Sequence, residues 1–121
     1  MDQDVLVSDA QKLTAELDQT IVRPKGVMWA MTPETDGSRL WVIPETHMDK
    51  REFYFQVATA ISHADLDMLD VGMVRLIDID RARTMGLDSF SKMPRIGRSY
   101  VKSNRVNRNT LPDGIVIRMD I

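Results

Sequence analysis

The chain has 121 residues, 43% of them hydrophobic and 28% charged, with a net charge of -2, which suits one folded domain with its own core and not a disordered chain. It contains no cysteine, and that rules out disulfides, thiolate metal sites and cysteine nucleophiles. The acidic start MDQDVLVSDA has no basic n-region before an apolar core, and no apolar run approaches the roughly 20 residues that span a bilayer, so the expectation is a soluble cytoplasmic protein without a membrane partner.

The first element expected is a helix over 6–22. Leu6, Ala10, Leu13, Leu17 and Ile21 recur at helical spacing. Ser8 or Asp9 is its candidate cap. Arg23-Pro24 closes it, because a residue before proline disfavours helical backbone. Two strand-length apolar runs follow, KGVMWAM and RLWVI, separated by a loop containing Asp36-Gly37, and they read as a β-hairpin. A loop symmetric about Thr35 sets Trp29 opposite Trp41, Val27 opposite Ile43 and Met31 opposite Arg39. Met28, Ala30, Leu40 and Val42 then lie on the second face. Both faces are apolar and both need a cover. The face formed by Val27, Trp29, Met31, Trp41 and Ile43 is therefore expected to be a homodimer interface, with Leu13 and Leu17 of the first helix as the competing cover within one chain.

The stretch 49–64, DKREFYFQVATAISHA, places Phe53, Val57, Ala60, Ile61 and Ala64 on one helical face, with Thr46 or Asp49 as cap. An acidic connector leads to MVRLIDI, expected as a third, well-buried strand. Asp80 is expected to cap a short helical turn that Gly86 ends. The run SYVKSNRV suits an edge strand. Leu111-Pro112-Asp113-Gly114 signals a turn, after which IVIRMDI forms the last strand. The elements alternate as α-β-β-α-β-(α)-β, and the fold class expected is a single α+β domain over 1–121 with a mainly antiparallel sheet packed by helices.

The charge is unevenly spread. Between Ser89 and Pro112 stand six cations, Lys92, Arg95, Arg98, Lys102, Arg105 and Arg108, and no acid; the rest of the chain carries the other 10 cations against all 18 acids. With its serine and asparagine donors and Tyr100, this segment suits nucleic acid or another polyanion. The plainer reading is a solvated, flexible arm that balances the acidic body or docks on it.

No nucleophile, P-loop or dinucleotide motif is present, and nothing calls for a cofactor, a catalytic residue or an assigned metal ligand. Glu45, His47 and Asp49 stand two apart at a strand-to-helix junction, where capping is the plainer role for the two acids. His63 sits one helix away, roughly 24 Å along its axis, too far to share a metal with His47. A non-catalytic binding or interaction module acting through an oligomeric surface ranks first. A nucleic-acid or polyanion-binding accessory protein using 92–108 ranks second, and a metal-dependent hydrolase centred on Glu45, His47 and Asp49 third.

Overall fold

The computed structural model describes residues 3–31, 38–102, 104–106, 109–111 and 113–121, with the backbone alone for 104–106 and 109–111. The chain runs α1 (Gln3–Leu17), β1 (Gly26–Met31), β2 (Ser38–Ile43), α2 (Lys50–His63), β3 (Val74–Leu76), α3 (Ile79–Met85), β4 (Ser99–Val101), β5 (Asn104–Val106), β6 (Asn109–Leu111) and β7 (Asp113–Met119). Five strands make one sheet in the order β3-β2-β1-β7-β4, while among the described strands β5 and β6 pair only with each other. Within the five, β2 and β3 alone are parallel. This is the α+β arrangement that the pattern of apolar periods implies.

The middle strand explains why the hairpin is apolar on both sides. Val27 and Trp29 of β1 join Leu40, Val42, Ile115 and Ile117 beneath α1 and α2. Met28 of β1 joins Ile43, Val116 and Met119 on the opposite face, covered by Ile77, Ala82 and Leu87 from the segment after β3. A strand covered on both faces must be apolar at every position, not at alternate ones.

The register departs from the symmetric loop. Val27 pairs with Val42, Met28 with Trp41 and Trp29 with Leu40. Met31 pairs with Ser38, leaving an even number of residues between the strands; Asp36-Gly37, the expected turn, lies outside the described residues. A shift of one residue turns every side chain of a strand to the other face. Trp41 and Ile43 therefore lie on the face opposite Trp29.

In α2, Asp49 is extended at φ -61 and ψ 136, and its side chain accepts from the Glu52 N–H at 3.3 Å. Phe53, Val57 and Ala60 are buried, with Ile61 packed at their margin. The expected bounds of α1 were wrong at both ends. It reaches back to Gln3 and stops at Leu17, where the Thr20 hydroxyl donates to the Leu17 carbonyl. Ile21, past that stop, is 60% exposed. Asp9 is no cap. It lies inside the helix, fully buried, and its carboxylate accepts the backbone N–H groups of Asp67 (3.1 Å), Met68 (2.7 Å) and Leu69 (3.0 Å).

Burial by itself raises the Asp9 pKa, but the bonds from Met68, Asp67 and Leu69, helped by Lys12, outweigh it and hold the carboxyl below the usual aspartate range. A depressed folded pKa adds stability above the unfolded value, near 3.9 for aspartate, and that stability is lost as pH falls through the folded pKa. Asp9→Ala strands three donors, and since each buried orphan costs about 1–3 kcal/mol and some admit water, the expected loss is about 2–4 kcal/mol at pH 7. Urea denaturation at pH 7 and pH 2 checks both parts: the gap between variant and parent should narrow in acid.

The third strand is short and lies at the sheet edge, not in its interior. The Tyr54 hydroxyl covers its free side, 3.4 Å from the Val74 carbonyl and 3.3 Å from the Leu76 N–H. Asp78, not Asp80, caps α3 by accepting from the Asp80 N–H at 3.1 Å, and Gly86 ends the helix at φ 95. The turn expected at 111–114 does not include its last two residues. Asp113 and Gly114 open β7, and Pro112 lies outside the described residues. A Cβ on Gly114 would stand 2.2 Å from the Trp29 carbonyl oxygen, so this glycine serves close strand approach. Among the described residues, no helix is long and apolar enough to cross a membrane.

Candidate functional site

The basic segment is sewn onto the last strand. Met93 and Met119 exchange N–H···O bonds of 2.7 and 2.9 Å, Gly97 N–H donates to the Ile117 carbonyl at 2.9 Å, and Ser99–Val101 then pairs with β7 as an edge strand. Its first half also meets the acidic body. Arg98 lies 3.0 Å from Asp4, and Lys92 lies 3.9 Å from Asp120. Arg95 and Lys102 make no ion pair among the described residues.

The next described ladder, β5 with β6, has the same register. Ser99 pairs with Val116 and Val101 with Gly114, while Asn104 pairs with Leu111 and Val106 with Asn109. Each pair of numbers sums to 215, so the two ladders share one register. β4–β5 and β6–β7 are thus two legs of a single antiparallel ribbon. Its inner half belongs to the five-stranded sheet, and its outer half pairs with no other described strand. Arg105 lies on β5 opposite Thr110; its side chain and all of Arg108 lie outside the described residues. Lys102, Arg105 and Arg108 therefore belong to one leg and its end in sequence.

At the root of the ribbon a cleft of about 460 Å³ opens between 89–93 and β4. Phe90, Met93, Val101 and Val116 border it and belong to the apolar cluster on this side of the sheet. Ser89, Ser91 and Ser99 add hydroxyls, and Lys92 and Lys102 add the only charges among the described residues. Lys92 is loosely held: its 3.9 Å contact is beyond hydrogen-bond reach, and Asp120 is shared with Lys25 at 4.0 Å. An apolar floor under a cationic, hydroxylated rim selects an anion with an apolar body. Tyr100 is 60% exposed on the same edge strand.

The group proposed from spacing, Glu45, His47 and Asp49, does not converge. Asp49 caps α2, and the Glu45 backbone N–H donates to the Val22 carbonyl. His47 instead meets two acids 31 and 33 residues further on, Nδ1 facing Asp78 and Nε2 lying 3.1 Å from Asp80. One donor atom from each residue lies within 4.8 Å of the other two, a spacing a cation could bridge. The chain already uses both acids, Asp78 as the α3 cap and Asp80 beside Arg83 at 3.8 Å. In its present form the group ties the loop before α2 to α3. Sequence reasoning missed Asp78 and Asp80 as partners, since spacing carries no signal for a contact made only by the tertiary fold.

The expected dimer face is divided. Val27 and Trp29 are buried beneath the helices with Leu13 and Leu17, the competing cover, and the Trp29 Nε1–H donates to the Leu6 carbonyl at 2.9 Å. Trp41 and Ile43 pack on the other side of the sheet, and Met31 is exposed at the end of β1. These five residues do not form one patch. Comparison with protein families, with curated proteins and with solved structures found no match.

Proposed function

We propose that the protein is a non-catalytic nucleic-acid-binding accessory protein that engages its ligand with the ribbon β4–β7. The observation that carries this reading is the shared register of the two ladders. With it, Lys102 and Arg105, legible in the sequence only as part of a basic stretch, follow one leg of a two-stranded ribbon whose outer half pairs with no strand of the five-stranded sheet. A two-stranded ribbon fits the major groove of duplex DNA, about 12 Å wide. Cations and asparagines along it suit phosphate and base-edge contact respectively. The acidic remainder of the chain favours an approach with the ribbon foremost.

Fluorescence anisotropy with a short labelled duplex, over a range of salt, tests the proposal. Each phosphate contact adds about 0.9 to the slope of log affinity against log salt. Replacing Lys102, Arg105 and Arg108 together by glutamine should flatten that slope by about 3 and weaken binding to every sequence. Replacing Arg98, which Asp4 already holds, should change it much less. Failure of the unmodified protein to bind at low salt contradicts the proposal.

A further inference from the structure

We propose that the cleft at the root of the ribbon holds one unpaired nucleotide, so that the preferred ligand is nucleic acid with a single-stranded end and not a blunt duplex. This rests on the reading of the ribbon as a nucleic-acid contact. A duplex offers a protein its phosphates and the edges of stacked bases, and cations along a ribbon would meet both without any apolar concavity. The cleft is a different kind of surface. Its floor of Met93, Val101 and Val116 lacks polar groups, its rim carries Lys92 and Lys102, and its volume is about 460 Å³. That is the size range of small-ligand sites, and the chemistry is that of a flat, largely apolar base attached to an anionic phosphate.

Position supports the same conclusion. β4 borders the cleft and leads through Lys102 into β5, so a strand lying along the ribbon ends its path at the cleft. A nucleotide that is already unpaired enters without unstacking from a helix, whereas one taken from a duplex must first be extruded. Serine hydroxyls on the rim bond phosphate or sugar oxygens without regard to sequence. The preference is thus for strand state and not for a particular base.

The test compares one labelled duplex in blunt form and with a short single-stranded overhang at either end, alongside a phosphorylated peptide of similar charge. An overhang at one end should tighten binding about tenfold. Ser91→Trp, which fills the cleft from its exposed rim outside the ribbon strands, should remove that advantage and leave blunt-duplex affinity unchanged; Ser91→Leu provides a second, smaller filling variant should the first fail to fold. Equal affinity for blunt and overhanging duplexes overturns the cleft assignment and leaves the ribbon standing. No binding to any DNA overturns both. Tighter binding of the phosphopeptide than of either DNA assigns the cleft to a protein ligand and overturns the nucleotide proposal.

Discussion

Truncating Trp29 to alanine is expected to cost about 3–5 kcal/mol of stability, with a denaturation midpoint that does not vary with protein concentration. The indole is only 2% exposed, lies among residues of both large helices and donates to the Leu6 carbonyl. Its loss removes a large apolar surface and the second donor to the Leu6 carbonyl, which α1 also engages. Trp41→Ala should cost less, because that ring is only half-buried at the margin of the second cluster. Urea denaturation at two widely separated concentrations checks both statements. A small loss for Trp29→Ala, or a midpoint that rises with concentration, would mean that a second copy of the chain covers this face.

Gly114→Ala should be almost as damaging, at about 3 kcal/mol, the upper end of the usual range for overpacking. The new methyl would meet the Trp29 carbonyl oxygen at 2.2 Å and the Met28 side chain at 2.7 Å. Methionine can move, but the carbonyl belongs to the central strand, so β1 and β7 would have to part where Ala30 pairs with Gly114. Because β7 is also one leg of the ribbon, the same displacement should weaken DNA binding. A thermal melt of the variant measures the first effect. A stability change below about 1 kcal/mol would show that the two strands lie further apart than described.

The parts of the fold legible in the sequence were those set by local periodicity. Phe53, Val57 and Ala60 recur at helical spacing and are buried, and Asp49 caps their helix. What failed was whatever depends on contacts far along the chain. Asp9 has the residue type of a cap, yet its partners are amides 58 to 60 residues away. Gly114 follows Pro112-Asp113 like a turn glycine, but Trp29 decides its role. The hairpin register slipped by one because its loop is not symmetric about Thr35, and that single step split the expected interface between two faces. His47 was singled out with Glu45 and Asp49, although its neighbours come from α3 and its cap. The basic run was visible from composition alone. Its arrangement as one leg of a ribbon was not, since residues 99–101 and 104–106 reveal a common register only through their partners on β6 and β7.

The most direct measurement is amide hydrogen exchange of the intact protein with and without a short overhanging DNA duplex. Added DNA should slow exchange at 104–106, at 109–111 and along β4, and leave α2 unchanged. Protection confined to the helices, or none at DNA concentrations well above the protein, would contradict the assignment of the ribbon as the binding element.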